Sequence, residues 1–393
     1  MSLCILILYT QGTSQTKMSN PHTKVKQEKQ HMSYHEAHQR AEKSVCSVCH
    51  NRRPQFERNR KKEFSYAELC AATRGFSPKN YLSEGGFGCV YKGELRGQKV
   101  AVKKHTYANQ KGEKEFKSEV DVLSKAMHEN VVMLLGSCSE RNNRLLVYEY
   151  VCNASLDQHL SQHSRKPLDW TDRVKVADGA AKGLLYLHEN NIIHRDLTAN
   201  NILLTHDYDA LLGDFGLART VIEDSSYSTE CFGSRGYMAP EYAEFGKVSI
   251  KTDVYSFGVV LLQLITGMRP MDKRLGERSL MGWARPLLKD RKYADLVDER
   301  ITKSHDAHQL FWMIRLAEKC LSREPKKRLN MIQVVDALTH IVEGRTHASI
   351  LRDCFPARSG SIYSASDSDE SEEEMKESFK FEDELLIQFS SFK

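Results

Sequence analysis

Three oxygen-bearing side chains at short intervals, Asp196, Asn201 and Asp214, fall within a single stretch, IIHRDLTANNILLTHDYDALLGDFG, from Ile192 to Gly216. Apolar groups flank them on both sides: Ile192 and Ile193, then Ile202 to Leu204, then Leu211 and Leu212. These read as short buried strands or their flanks, with His206 to Asp209 as the turn of a hairpin. Buried hydrophobes of this kind would hold the polar residues rigidly at one rim. Carboxylates gathered there need cations or donors, because an unpaired buried charge is costly. Magnesium together with a polyphosphate meets that need.

A second constellation lies upstream in LSEGGFGCVYKGEL. Gly85, Gly86 and Gly88 stand between strand-like Tyr81-Leu82 and Cys89-Val90-Tyr91, so a hairpin turn could bring backbone N–H groups against phosphates without interference from a Cβ. Lys103 follows in VAVKK, where Val100 and Val102 share one face of a strand and Ala101 and Lys103 the other. In EFKSEVDVL, Phe116, Glu119, Val120 and Leu123 recur at helical spacing, which puts Glu119 on an inward face. A carboxylate there needs a partner, and Lys103 is the natural one.

The elements that must position these groups are legible in outline. FSYAELCAATRGF predicts a helix ending near Gly75. Asn130 to Cys138 and Leu145 to Tyr150 read as two strands joined by a polar turn. Thr171 to His188 has a long helical pattern, and Lys251 to Thr266 is apolar on nearly every side, as expected of a fully buried central helix. No internal repeat is present.

At 393 residues, 40% apolar and 28% charged, the chain can hold one large two-lobed domain or two ordinary ones, plus tails. The formal charge of +5 is unevenly spread. Residues 1–62 hold twelve Lys and Arg against four Glu, and residues 359–393 hold ten acidic residues against three Lys. A basic arm, a near-neutral body and an acidic tail argue against nucleic acid as a partner. Residues 1–62 and 346–393, the latter including SDSDESEEE, have the composition of unstructured segments. Arg52-Arg53 and Arg58 to Lys62 could lie on an anionic membrane surface or form a solvated linker. Leu3 to Tyr9 is far too short to span a bilayer, no secretory signal is evident, and Ser2 excludes N-myristoylation. Ten scattered cysteines read as reduced thiols. Cys46-Ser-Val-Cys49-His50 has half the look of a zinc site, but no second pair follows nearby, and free or lipid-modified thiols are the alternatives.

From about Phe64 to Glu343, the order of glycine loop, Lys103, Glu119, Asp196 with Asn201 five residues later, Asp214-Phe-Gly and MAPEY resembles the protein kinases, most closely the plant receptor-like serine/threonine kinases. The resemblance implies an α+β, bilobal fold: a small antiparallel sheet with one helix over residues 63–150, and a mainly helical lobe over 151–345. ATP and Mg2+ would lie between the lobes. Asp196 would act on the proton of the attacking hydroxyl, with Arg195 beside it. Asn201 and Asp214 would bind metal, and Lys103, oriented by Glu119, would clamp phosphates. Leu82, Gly85, Gly86, Gly88, Val90, Ala101, Lys103, Glu149 and Val151 would contact the nucleotide, with Tyr148 at the gatekeeper position. Asp253 would bond the backbone of the catalytic loop, and Arg328 would pair with Glu241. Arg195 would meet a phosphate on the activation segment, with Thr229, Ser228 and Ser225 as candidate acceptors. A protein substrate, an upstream receptor kinase and a cytoplasmic location, with the inner face of the plasma membrane as an alternative, complete what is implied.

Two positions depart from the family pattern. Ser83 replaces the first glycine of the loop, and Thr198 stands two residues after Asp196, where relatives carry Lys or Arg. A cation missing ~4 Å from a phosphoryl group is worth about 4 kcal/mol at an effective dielectric near 20. Two functions therefore follow: a working serine/threonine kinase, or a kinase-shaped module that holds nucleotide and partners but transfers phosphate poorly. A tyrosine kinase ranks third, because GSRGYMAPE has the serine/threonine style, with Ser234 in place of the usual Thr.

Overall fold

The computed structural model describes residues 46–51, 53–54, 62–86, 88–105, 110–164, 166–220, 227–228 and 231–344. Six strands form one sheet in the order β1-β5-β6-β4-β3-β2. They are β1 (Lys62–Glu63), β2 (Tyr81–Gly85), β3 (Gly88–Leu95), β4 (Gln98–His105), β5 (Leu134–Glu140) and β6 (Asn143–Glu149). All neighbours run antiparallel except β1, which joins β5 in parallel.

The period-2 alternation in VAVKK sorts side chains as expected. Val100 and Val102 join Leu145, Val147 and Leu69 in an outer core, where helix α1 (Tyr66–Ala72) covers the sheet. Ala101, Leu146 and Tyr148 face the opposite way, toward the larger core shared with helix α2 (Gln110–Leu123). Ser65 and Glu68 form a capping box that fixes the start of α1.

The second lobe is mainly helical. Helix α3 (Leu156–Leu160) leads to α4 (Trp170–Glu189), which packs against the short hairpin of β8 (Ile202–Leu204) and β9 (Ala210–Leu212). Strand β7 (Ile192–Ile193) precedes that hairpin, and the Thr205 N–H donates to the Asp209 carbonyl at 3.0 Å to close its turn. Helices α5 (Pro240–Phe245), α6 (Ile250–Thr266), α7 (Leu280–Lys289), α8 (Ala307–Cys320) and α9 (Met331–Val342) complete the lobe. From Thr252 to Thr266 every residue of α6 is buried, as its unbroken apolar pattern requires. Arg173 is also fully buried; it donates to Asp298 at 2.6 Å and to the carbonyls of Leu264 and Leu168.

Two boundaries differ from expectation. The strand read from Asn130 begins only at Leu134, because Asn130 and Val132 bond to the hairpin instead: the Leu212 N–H donates to the Asn130 carbonyl and the Val132 N–H to that of Leu212, each at 2.9 Å. Residues 46–54, read from composition as part of an unstructured arm, include eight described residues, of which Asn51 and Arg53 bond the hinge between the lobes.

Candidate active site

Strand β4 and helix α2 bring Lys103 and Glu119 to one point. The Lys103 Nζ lies 3.0 Å from Glu119 Oε2 and 2.7 Å from Asp214 Oδ1. Glu119 is fully buried, whereas the Asp214 side chain keeps 30% of its surface open. Burial alone would lower the Lys103 pKa, but the carboxylates of Asp214 and Glu119 outweigh it and hold the ammonium charged. The same ammonium overcomes burial at Asp214 and keeps that carboxyl below its usual range. The second oxygen of Glu119 accepts from the Tyr148 hydroxyl at 2.5 Å and from the Phe215 N–H at 3.2 Å. Burial, then the Glu119 charge, push the Tyr148 pKa well up, so it remains a donor. Both oxygens of this buried carboxylate are thereby satisfied.

The hairpin sets the rest of the rim. Its strands end at Ile202 paired with Leu212, and one residue further the Gly213 N–H donates to the Asn201 carbonyl at 2.8 Å. Asn201 and Asp214 are therefore neighbours in space. Asn201 Nδ2 donates to the Asp196 carbonyl at 2.8 Å, which leaves its amide oxygen available as a ligand. The Ser234 N–H donates to Asp196 Oδ1 at 2.9 Å. Arg195 and Asp214 both have left-handed backbones, at φ 69° and 59°. Such conformations cost roughly 1–3 kcal/mol each and persist only where the surroundings enforce them. Asp253, fully buried near the start of α6, is one enforcer, accepting from the N–H groups of His194 and Arg195 at 2.8 Å.

The glycine loop divides into two kinds of residue. A Cβ on Gly88 would sit 2.1 Å from the Lys104 carbonyl, and its φ is 146°, so internal packing already demands glycine there. At Gly85 and Gly86 a Cβ would meet nothing within 4 Å. Glycine at those two positions has no packing reason, and suits the close approach of a ligand. Ser83 is not strained: it lies in β2 opposite Val90, outside the positive-φ residues. Serine is tolerated there as well as glycine would be. Thr198 is buried, and its hydroxyl accepts from the Asn201 N–H at 3.3 Å, so the side chain braces the loop.

Leu82 is exposed, Val90 half-buried, and Ala101 pairs across the sheet with Tyr148. At the hinge, the Glu149 N–H is committed to the Met133 carbonyl at 3.0 Å, while Val151 is half-buried just beyond it. The Glu149 side chain forms a bidentate pair with Arg53, at 2.6 and 2.7 Å. Arg53, a residue of the run offered to a membrane surface, is thus engaged inside the protein. Arg195 donates to the Leu217 carbonyl at 3.3 Å and the Tyr242 hydroxyl at 2.9 Å. Thr229 and Ser225 lie outside the described residues, and the backbone of Ser228 pairs with Lys247. Arg328 meets Glu241 through two bonds of 2.7 Å, as expected.

Sequence reasoning missed what gathers behind the hinge. The sulfurs of Cys46, Cys49 and Cys152 and a ring nitrogen of His206 lie within 4.8 Å of one another. Only the Cys46/Cys49 spacing signalled this cluster, because its other members stand more than 100 residues away. A cavity of about 430 Å³ adjoins it, lined by Arg53, Glu149, Gly179 and Ala210 among others, and touches none of Lys103, Asp196, Asn201 or Asp214.

Known proteins similar in sequence give the family. Residues 76–338 match the family model described as protein tyrosine and serine/threonine kinase. The proline-rich receptor-like protein kinase PERK8 of Arabidopsis thaliana is 47% identical over 72% of this chain and 44% of its own length. PERK12 of the same organism is 48% identical over 70% of this chain and 40% of its own. The chain spans less than half the length of these curated relatives. Among the described residues no helix is long and apolar enough to cross a membrane. With its six-stranded lobe, its mainly helical lobe and a lysine held between two carboxylates at their junction, the chain belongs to the protein tyrosine and serine/threonine kinase family, and its receptor-like members are similar to it.

Proposed function

We propose that the chain transfers the γ-phosphate of ATP, with magnesium, to serine or threonine hydroxyls of protein substrates. The observation that carries this reading is Lys103 held at once by Glu119 and Asp214, beside a rim where Asp196, Asn201 and Asp214 converge. The donor set suits a hard cation: an amide oxygen from Asn201 and a partly open carboxylate from Asp214. When bound, magnesium would neutralise charge on the phosphates. Lys103 would orient them, and the open backbone at Gly85 and Gly86 would admit them. Asp196, fixed by the Ser234 N–H, would take the proton of the attacking hydroxyl. The serine/threonine style of GSRGYMAPE, a segment whose Ser234 N–H bonds the base, favours serine or threonine acceptors.

Regulation belongs to the same reading. A phosphate on Thr229 would reach Arg195 and order the segment around it. We expect Thr229→Ala to lower activity roughly tenfold, about 1.4 kcal/mol of barrier, with Ser225→Ala nearly silent. Phosphopeptide mapping of the active protein checks this.

Thr198 supports a second reading, a nucleotide-holding scaffold of low turnover, because its buried side chain offers the phosphoryl group no cation. Incubation of the purified chain with magnesium-ATP and a generic protein substrate, beside Asp196→Ala, separates the two. Transfer that vanishes in the variant supports the kinase. Nucleotide binding by thermal shift with no Asp196-dependent transfer supports the scaffold.

A further inference from the structure

We propose that Cys46, Cys49, Cys152 and His206 form a structural zinc site that fastens residues 46–54 across the back of the hinge. The four come from three separate places in the fold. Cys46 and Cys49 stand in the segment before the sheet, Cys152 follows the hinge residues Glu149 to Val151, and His206 sits in the turn of the β8–β9 hairpin. The Cys46 and Cys152 sulfurs are 3.6 Å apart, and His206 Nδ1 lies 3.3 Å from the first and 3.1 Å from the second. A tetrahedral zinc with Zn–S near 2.3 Å and Zn–N near 2.0–2.1 Å places sulfurs about 3.8 Å apart and sulfur and nitrogen about 3.6 Å apart. These three separations lie within about 0.5 Å of that tetrahedron, and the Cys49 sulfur lies within 4.8 Å of the other three ligand atoms.

Backbone N–H groups of Val48 and Cys49 bond to the Cys46 sulfur, and that of His206 to the Cys152 sulfur. N–H donors of this kind offset the charge that three thiolates carry, and orient them. Cys46 is 7% exposed, which puts it out of reach of a lipid-transferring enzyme. A disulfide would engage two sulfurs and leave Cys49 or Cys152 and the imidazole unexplained. Three soft sulfurs and one imidazole are the ligands of a closed, four-coordinate zinc centre, and the set contains no carboxylate or water position for catalysis. Zinc would displace the thiol protons of the three cysteines, so its uptake releases protons and is favoured by rising pH.

Polar contacts around the cluster hold the same segment. The Ser47 N–H donates to Asp207 at 3.2 Å, Asn51 Nδ2 donates to the Tyr150 carbonyl at 2.9 Å, and Arg53 clasps Glu149. One strap therefore touches the last strand of the small lobe, the hinge and the hairpin that carries Asn201 and Asp214 at its far end. The metal would lock the strap to all three.

The test is metal content of the full chain after expression with zinc and gel filtration, measured by elemental mass spectrometry. We expect one zinc per chain, falling at least tenfold in Cys46→Ser, Cys152→Ser and His206→Asn and unchanged in Cys70→Ser. Cobalt exchanged into the wild type should show thiolate charge-transfer absorption. Chelation should expose Cys46, Cys49 and Cys152 together to a maleimide, as located by peptide mapping, which keeps the proposal testable if a variant does not fold. Wild-type chain without stoichiometric metal, zinc retained by all three variants, or chelation that unmasks other cysteines would overturn it. None of these readouts depends on phosphoryl transfer.

Discussion

The front and back of one hinge are built in opposite ways. At the front, the polar groups arrive in two local sets: Asp196, Asn201 and Asp214 share one hairpin and its flanks, and Lys103 and Glu119 sit on adjacent elements. The links that join the sets, Lys103 to Asp214 and Glu119 to Phe215, span 111 and 96 residues. At the back, Cys46 is 106 residues from Cys152 and 160 from His206, and Arg53 is 96 from Glu149. The front needs two local geometries to be right, which hydrophobic flanks supply, and then the docking of the lobes that joins them. The back needs the whole lobe folded first, because apart from Cys46 and Cys49 none of its parts is near another until the hairpin and hinge exist. The difference separates a site whose failure is chemical from one whose failure is structural.

The largest effect tests that separation directly. Asp214→Asn removes the charged ligand at the front, and we expect phosphoryl transfer to fall more than about a thousandfold, roughly 4 kcal/mol of barrier. Melting temperature and zinc content should stay near wild type, since Asp214 lies at a partly open rim. Turnover like the wild type would end the kinase reading.

Thr198→Lys sharpens the front alone. Restoring a cation ~4 Å from the phosphoryl group should raise kcat, by up to about three decades, since the attraction is worth about 4 kcal/mol. An unchanged kcat in a variant that still binds nucleotide would mean that charge at this position does not limit the reaction.

Arg53→Ala acts on the back. It leaves the Glu149 carboxylate, only 4% exposed, without its partner, and breaking one side of a buried pair costs about 3–5 kcal/mol. We expect a lowered urea midpoint. Arg53→Lys should recover only part of it, because a single ammonium cannot reproduce the bidentate grip. If Arg53→Ala proves neutral, the strap contributes nothing to stability.

A smaller effect comes from acid. His105 lies beneath the front, its ring against Phe116 and 4.0 Å from Glu119. Burial, then the Lys103 ammonium, lower its pKa from 6.5 to about 4, with Asp214 opposing weakly. Below pH 6.5 the unfolded chain therefore binds a proton that the folded chain refuses. Stability is full above that pH and falls as pH drops toward 4, by about 2.5 kcal/mol at pH 4.5. His105→Gln should flatten the urea midpoint between pH 7 and 4.5 by that amount. His128, also lowered to about 4 and mainly by burial, supplies an internal comparison.

The sequence by itself determined the fold class and nearly all of the front. Alternation in VAVKK divided the sheet's two faces, helical spacing turned Glu119 inward, and apolar pairs around Asp196 and Asp214 specified the hairpin. These signals are local, because periods of 2 and 3.6 fix where neighbouring side chains point. The family resemblance also implied that Arg328 pairs with Glu241. Only tertiary structure decided that Ser83 lies in extended backbone without strain, that Gly88 is required by the Lys104 carbonyl, and that Asn130 bonds the hairpin. It alone brought Arg53 to Glu149, Arg173 to Asp298, and the Cys46-Ser-Val-Cys49 pair to Cys152 and His206. The physical reason is common to all of these. A contact between distant segments depends on how packed elements cross in space, and spacing along the chain carries no record of that crossing.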